Sequence, residues 1–327
     1  MRRTAAIVAI SAAFGGILSL SNGGDIATGV LTGMLIALAI VGLEFLLQGR
    51  WGARLRRWPI GLLVLIRTTA YGAVFFLVLH ALIALQRWSW DPILYPTRLI
   101  SNFTLTLAFA FAFAMNFGFV LMRLLGPRVA VSLLSGRYRS PRPEQRIVLF
   151  MDLRGSTQLA EKLGDERFHR FLNRVFWDLT DPVLESGGEI YRYVGDEIIV
   201  TWPVRSGARE PGCVECVFAI EDALAAKGKS YLAEFGAEPK LRAALHAGPL
   251  VVGEMGDLKR EIVMLGDTMN TAARIEGACR TLAKDVIASA AALSLFALPA
   301  GVHAQSLGVV ALRGKESELE LFALARG

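Results

Sequence analysis

The sequence predicts an all-α transmembrane domain followed by an α+β domain, on three observations. The 327-residue chain is 54% hydrophobic with a mean hydropathy of +0.46, which is too apolar for one ordinary soluble domain. The excess lies in residues 1–125, whereas the remainder has the charge density of a soluble protein. That remainder alternates short apolar runs typical of strands with runs typical of helices. We therefore predict a membrane domain at 1–125, a coupling linker at 126–145 and an α+β domain at 146–327.

Four stretches of the first region approach the roughly 20 apolar residues that a helix needs to cross a bilayer. The first could also be a signal peptide, because two arginines precede it. Arginines crowd the connection between the second and third stretches and the end of the fourth, and the other connections carry few cations. The positive-inside bias then places both termini in the cytoplasm, which needs an even number of spans. We predict a multi-pass protein of the cell (inner) membrane with four spans, at approximately 5–20, 26–47, 60–85 and 99–125.

The predicted spans contain two ionisable residues, Arg67 and His80. Such residues mark functional sites by default, although Arg67 is near the cytoplasmic end and could simply extend to the headgroups. One histidine does not support a bis-histidine haem within a single chain, and a haem shared between two copies is left open. We expect a sensing role for this domain, with an unknown membrane ligand. The net charge of +6 fits a membrane better than nucleic acid, since the arginines flank apolar stretches.

The linker and the cysteines are expected to be structural. Residues 128–134 read as a short amphipathic helix, and Pro141 and Pro143 predict a stiff connector after it. Cys213 and Cys216 form a CxxC pair, but no second pair completes a zinc site, and both fall in a helix-like run. We predict that these two cysteines and Cys279 pack in helices.

The α+β region is predicted to be mainly antiparallel. Tight connections at Gly195-Asp196 and at residues 247–249 would join neighbouring strands as hairpins, which favours a ferredoxin-like core. The predicted strands are 147–152, 188–194, 197–202, 241–246, 250–254 and 261–265, with helices at about 165–185 and 213–226.

Two aspartates, Asp152 and Asp196, each close an apolar strand-like run. A carboxylate at the rim of a sheet is a hard oxygen ligand that a nucleotide can reach, and two of them could hold a pair of Mg²⁺ ions. The alternative is that each aspartate caps a turn. The two together favour the metal site.

Three motifs make the chain resemble a known family over residues 146–324. FMDLRGST at 150–157 and YVGDE at 193–197 resemble the two metal motifs of class III nucleotidyl cyclases. GDTMNTAARIE at 266–276 resembles the helix that carries the transition-state residues of that family. The resemblance implies a membrane-anchored adenylate cyclase that converts ATP to 3′,5′-cyclic AMP and pyrophosphate.

The same resemblance implies a role for each matching residue. Asp152, Asp196 and the carbonyl of Leu153 would hold two Mg²⁺ or Mn²⁺ ions per site. Asn270 would position the ribose, and Arg274 would bind the charge that develops on the α-phosphate, a task that suits a guanidinium. The loop at 313–315 resembles the one whose lysine, here Lys315, contacts the terminal phosphates, although it could equally be a charged turn.

Base selection is where the sequence departs from the family pattern. Arg192 keeps the cation of the adenylate-specific members, but Val263 stands where they have an aspartate or threonine. Arg192 can donate to adenine N1, so ATP is favoured over GTP. The alternative is that Arg192 is a strand-surface cation paired with a carboxylate such as Glu261.

The family resemblance also implies a homodimer in which one protomer supplies Asp152 and Asp196 and the other supplies Asn270 and Arg274. Three other functions remain open: a guanylate cyclase, a catalytically silent receptor or scaffold with a cyclase fold, and a transporter-like protein with a regulatory nucleotide-binding domain. The four metal and transition-state residues argue against the scaffold. The spans contain neither an internal repeat nor obvious polar lining, which makes the transporter the weakest alternative.

Overall fold

A computed structural model describes most of the chain. The described residues are 2–21, 25–48, 60–88, 110, 113–114, 116–118, 126–204, 212–258, 260–296, 298–312 and 318–327. The chain divides into two compact units, Met1–Ala130 and Val131–Gly327.

The first unit is helical in its described parts. It contains α1 (Arg2–Ser21), α2 (Ile26–Gln48) and α3 (Ile60–Trp88). Among the described residues, one helix is long and apolar enough to cross a membrane, with a mean hydropathy of 2.3 over Ile26–Leu43. Val8–Leu20 and Leu65–Val78 are shorter apolar helical stretches. Most of the predicted fourth span, 99–125, lies outside the described residues.

Small residues allow α1 and α2 to approach closely. A Cβ added to Gly15 would lie 2.3 Å from the Gly29 carbonyl oxygen, and one added to Gly33 would lie 2.2 Å from that of Ser11. Glycines four apart, as at 29 and 33, are a frequent means of packing helices in membranes. In α3 the Oγ1 of Thr68 accepts a 2.7 Å hydrogen bond from the Asn116 side chain, and both residues are buried.

The second unit is built on a mixed sheet. Its described strands are β1 (Arg142–Leu153), β2 (Glu189–Val194), β3 (Glu197–Pro203), β4 (Leu241–Met255), β5 (Glu261–Leu265), β6 (Val286–Ser289), β7 (Val302–Val310) and β8 (Leu319–Arg326). Its helices are α4 (Pro127–Ser135, which begins in the first unit), α5 (Ser156–Leu163), α6 (Asp165–Glu185), α7 (Gly212–Ala226), α8 (Gly228–Phe235), α9 (Asp267–Thr281) and α10 (Ala290–Leu293).

The strand order is β2-β3-β1-β4-β6-β8-β7, and β5 pairs with β4. The first four strands of this order are antiparallel to one another, and β4 then pairs with β6 in parallel. Helices connect β1 to β2 and β3 to β4, which gives the predicted ferredoxin-like order within the α+β fold. Helices α6 to α8 share one hydrophobic core with the sheet, and α9 and β5 share a second one. The site described below lies at the rim between them, where β1 ends.

One predicted hairpin is wrong. Residues 247–249 were expected to turn between two strands, but β4 is continuous from Leu241 to Met255. β1 reaches back far enough to pair with both halves, with Arg146 opposite Gly248 and Gln145 opposite Pro249. Gly248 allows the start of α9 to approach, because a Cβ there would lie 2.6 Å from Thr268 Oγ1. The Thr268 hydroxyl donates a 2.6 Å hydrogen bond to the Pro249 carbonyl.

The segment expected to be a connector is partly sheet. β1 begins at Arg142, so Pro143 lies within a strand, opposite Val251. The other neighbour, β3, pairs with β1 only from Arg146 onward, and proline is tolerated along such an unpaired edge.

Arg146 anchors the start of β1 from inside the protein. It is 3% exposed and forms ion pairs with Glu144 at 2.8 Å and Glu189 at 3.0 Å. It also donates to Thr201 Oγ1 at 2.9 Å, while the Tyr138 hydroxyl donates to Glu144 at 2.8 Å. Burial alone would raise the pKa of Glu144, but hydrogen bonds from Tyr138 and Arg146 hold it below its ordinary value. The network therefore joins the residues before β1 to β2 and β3.

The cysteine prediction is confirmed. Cys213, Cys216 and Cys279 form no disulfide, and all three are fully buried in α7 and α9. Burial raises the pKa of the Cys216 thiol to about 11, as expected of a packing residue.

Candidate active site

Asp152 and Asp196 lie together at one rim of the sheet. Asp152 is the second-last residue of β1, and Asp196 follows Gly195 in the turn between β2 and β3. Gly195 has a φ of 63°, a left-handed conformation that suits glycine in tight hairpins. Met151 pairs with Ile198, which sets the β2–β3 turn beside the end of β1. The two carboxyl groups are within hydrogen-bonding distance of each other.

The electrostatics of this pair suit a cation. Burial raises the pKa of Asp152 to about 7, and the neighbouring Asp196 adds to the same shift. The Oδ2 atom of Asp196 is buried and makes no hydrogen bond. Two half-buried carboxyl groups side by side, one with an unsatisfied oxygen, form a donor set that fits a divalent metal ion. Among the described residues, no group of three or more His, Cys, Asp or Glu side chains is arranged to bind a metal.

Two further carboxyl groups, Glu197 and Glu276, surround the aspartate pair. Burial raises the pKa of Glu197 to about 7, with contributions from Glu276 and Asp152. Burial also raises the pKa of Glu276, against the opposing charges of Arg280 and Arg242. Sequence reasoning assigned neither glutamate a role, although Glu197 directly follows Asp196 and Glu276 ends the third motif. When ionised, these carboxylates add to the attraction of the rim for cations.

Asn270 and Arg274 lie on the outward face of α9. Asn270 is exposed and Arg274 half-buried. With about 100° per residue, the Asn270 side chain points roughly 120° away, and the Arg274 side chain roughly 160° away, from the helix face that presents Glu276 to Asp196. The inward face of α9 consists of Thr268, Thr271, Ala272, Ile275 and Cys279. The structure therefore brings Asp152 and Asp196 together, and it directs Asn270 and Arg274 away from that pair.

Arg192 lies on β2 and Val263 on β5, two strands that side-chain contacts bring together. The Arg192 guanidinium donates to Glu261 at 2.6 Å, so the ion pair considered as the alternative for Arg192 is present. The backbone N–H of Met264 donates to the Tyr191 hydroxyl at 3.0 Å, which ties the same two strands together. Lys315 lies outside the described residues.

His246, on β4, has a structural position. The residue is 7% exposed, and its Nδ1 lies 2.8 Å from Ser289 Oγ. Ser289 caps α10 by accepting from the Ala292 N–H at 3.2 Å. His246 thus supports the β4–β6 contact and does not reach the aspartate pair.

Comparison with known proteins identifies the second unit. The family described as "Adenylate and Guanylate cyclase catalytic domain" matches residues 139–326. "Adenylate cyclase 2" of Rhizobium meliloti (strain 1021) is 44% identical over 204 residues, which are 62% of this chain and 56% of that protein. The match therefore spans little more than half of that relative.

Solved structures show the same fold. The adenylyl cyclase CyaB from P. aeruginosa aligns with a TM-score of 0.51 and 21% identity, over 57% of this chain and 97% of that one. A bacterial light-regulated adenylyl cyclase aligns with a TM-score of 0.55 and 20% identity, over 70% of this chain and 67% of that one. With the family match over more than half of its length, the chain belongs to the family of adenylate and guanylate cyclase catalytic domains, the class III nucleotidyl cyclases.

Proposed function

We propose that this protein is a membrane-anchored adenylate cyclase that forms 3′,5′-cyclic AMP and pyrophosphate from ATP. The observation that carries the proposal is the carboxylate pair of Asp152 and Asp196, with its buried, unsatisfied oxygen. The 44% identity to a protein named adenylate cyclase supports the choice of activity.

Asp152, Asp196 and the carbonyl of Leu153 would hold two Mg²⁺ or Mn²⁺ ions. When bound, the metal ions supply the positive charge that acidifies the ribose 3′-hydroxyl and polarises the α-phosphate. The protein's part is to keep the two carboxylates close in a partly desolvated rim, where their attraction for cations is strong. Glu197 and Glu276 add to that attraction.

The active site is proposed to form between two copies of the chain. Asn270 and Arg274 face away from the aspartate pair of their own protomer, so they can serve only the pair of another protomer without a rearrangement of α9. In a symmetric dimer each copy supplies Asp152 and Asp196 to one site and Asn270 and Arg274 to the other. Asn270 would orient the ribose, and Arg274 would bind the charge that develops on the α-phosphate.

Arg192 and Val263 would line the base end of the site, and Lys315 would reach the terminal phosphates. A guanidinium can donate to adenine N1 but meets the N1–H of guanine donor to donor. This polarity favours ATP over GTP.

The first unit is proposed to be the four-span anchor, with both termini and the cyclase domain in the cytoplasm and with an unknown membrane ligand as its stimulus. The apolar α2 and its close packing with α1 support membrane insertion. The linker at 126–145 would pass the signal to β1, since its last residues are already part of that strand.

The test is to incubate the purified full-length protein with Mn²⁺ and either ATP or GTP, and to measure cyclic nucleotide by mass spectrometry. We expect cyclic AMP to dominate, and Asp196→Asn to lower its formation by roughly two orders of magnitude or more. A protein that dimerises but forms neither cyclic nucleotide would contradict the proposal and favour the scaffold. Predominant cyclic GMP would favour the guanylate cyclase.

A further inference from the structure

The ion pair of Arg192 and Glu261 joins β2 to β5 and also leaves a hydrogen-bond donor and an acceptor exposed to solvent. β2 and β5 are not neighbours in the sheet, yet the side chains meet at 2.6 Å. The Arg192 guanidinium also lies 5.4 Å from the centroid of the Tyr191 ring, whose hydroxyl is held by the Met264 N–H. The side chains of Arg192 and Glu261 are 43% and 41% exposed. A fixed donor and a fixed acceptor therefore lie side by side and remain open to a ligand.

Glu261 also shares a strand face with Val263. Residues two apart on a strand point to the same side, and β5 pairs regularly with β4 from Glu261 to Leu265. Val263 has no polar side-chain atom, so it cannot accept a hydrogen bond from a base. Glu261 presents a carboxylate to the same side of β5, next to Arg192.

We propose that Glu261 is the residue that accepts the 6-amino group of adenine, while Arg192 donates to adenine N1. The proposal rests on the adenylate cyclase function proposed above and names the determinant of its substrate. Adenine offers an acceptor at N1 beside a donor at its 6-amino group, which matches a donor–acceptor pair in the order Arg–Glu. Guanine offers the reverse, a donor at N1 beside an acceptor at O6, and would meet both side chains with the wrong polarity.

A purely structural role for the pair predicts different behaviour. Half-exposed ion pairs contribute little to folding stability, because solvent screens them and the long side chains lose entropy. Removal of Glu261 should therefore leave the fold intact. Loss of a hydrogen-bonding partner for a bound base, in contrast, changes selectivity by roughly tenfold or more.

The experiment compares Glu261→Ala with wild type in the full-length protein, with kcat/KM measured for ATP and for GTP beside a melting curve. We expect the ATP-to-GTP ratio to fall by about tenfold or more, with little change in melting temperature. The ATP-to-GTP ratio of Glu261→Gln should lie between the ratios of wild type and Glu261→Ala, because an amide can turn to donate to guanine O6. Glu254→Ala is the matched control, since Glu254 pairs with Ile262 and lies on the opposite face of the same hairpin; its ratio should equal that of wild type.

A second variant tests the position of the acceptor directly. Glu261→Ala combined with Val263→Asp returns a carboxylate to the same strand face, and it should restore most of the ATP preference. An unchanged ratio in Glu261→Ala, or an equal loss in Glu254→Ala, would overturn the proposal while leaving the cyclase function standing.

If the wild-type protein forms no cyclic nucleotide, the proposed function fails separately. Competition between ATP and GTP for equilibrium binding then decides the role of Glu261, and an unchanged binding ratio would overturn it.

Discussion

At the residue scale, the carboxyl groups of Asp152 and Asp196 are arranged to bind cations, and this arrangement lowers the stability of the fold when no cation is bound. Burial and the proximity of Asp196 raise the pKa of Asp152 to about 7, so the ionised pair is unfavourable without a partner. Glu197 has a pKa of about 7 for the same reasons. Groups that ligate or react are often held in such unfavourable surroundings, because the surroundings that destabilise the free site favour the bound one.

Asp196→Asn should therefore separate activity from stability. We expect cyclic AMP formation to fall by roughly two orders of magnitude or more, because a metal ligand is lost. The melting temperature of the chelator-treated protein should stay level or rise, because one of two repelling charges is gone. Asp285→Asn is the control: it removes an exposed ion pair with Arg154 and should change neither quantity much. A clear drop in the melting temperature of Asp196→Asn would show that the pair stabilises the fold.

The same pair predicts how stability depends on pH without metal. The folded protein keeps protons on Asp152 and Glu197 up to about pH 7, whereas the unfolded chain releases them near pH 4. Between these values the folded state binds more protons, so the free energy of unfolding should fall as pH rises. Urea unfolding at about pH 5 and about pH 8 should show a smaller decrease in Asp152→Asn than in wild type. Equal decreases in the two proteins would refute the assignment.

At the scale of elements, the sequence predicted the strands up to β5 but none of β6, β7 and β8, and the two segments it misassigned share a cause. Helix α6 was predicted with its observed bounds, because its apolar spacing and the tight turns around it are local signals. Gly248 and Pro249 also looked like a local turn signal, but pairing with β1 extends β4 through them. Likewise, Pro143 was predicted to lie in a connector, but it pairs with Val251 of β4 and is therefore part of β1. Long-range pairing decides such segments, and a single sequence does not show it.

The candidate site also contains features that short stretches of sequence predict and features that long-range contacts determine. The strand-end motifs placed Asp152 and Asp196 together, since each position depends on a short stretch of chain. The approach of Glu276 to that pair, and of Glu261 to Arg192, depends on how α9 and β5 fold over the sheet. Both contacts join residues about 70 or more positions apart; the sequence offered Glu261 as a partner of Arg192 only as an alternative, and it showed no sign of the approach of Glu276.

The buried Arg146 network makes an element-scale prediction. Arg146→Leu would remove the buried cation that pairs with both Glu144 and Glu189, and Glu144 would keep only its pair with the exposed Arg137. Breaking a buried pair in this way costs about 3–5 kcal/mol, so we expect a loss of that order in the free energy of unfolding. Arg142→Leu, at an exposed position of the same strand, should cost less than about 0.5 kcal/mol. Urea unfolding of the two variants measures the difference, and similar losses would mean that the network contributes little.

At the scale of the whole molecule, the faces of α9 determine how many chains make a working enzyme. Each protomer carries both halves of the proposed site, but on surfaces that do not face each other. A single chain should therefore be inactive even when it is fully folded, and activity should depend on protein concentration through dimer formation.

Mixing two inactive variants tests this arrangement. Asp196→Ala damages one half of the site and Arg274→Ala damages the other. After subunit exchange at equal amounts, about half of the dimers are mixed, and each mixed dimer has one intact site of two. We expect roughly a quarter of wild-type activity, measured as cyclic AMP formation. Subunit exchange without recovery would show that each chain completes its own site.

The continuity of β1 limits how a signal can travel through the protein. The strand runs without interruption from Arg142 to Leu153, with the buried Arg146 network near one end and Asp152 near the other. A strand paired on both sides keeps its length. A displacement of Arg142 is therefore transmitted along β1 and does not deform it. A force on Arg142 could shift β1 along its neighbours only if every hydrogen bond to β3 and β4 broke at once, which is energetically costly. A stimulus is therefore expected to move the catalytic domain as a rigid body and to change how two such domains meet, with the spacing of the aspartates within each domain unchanged.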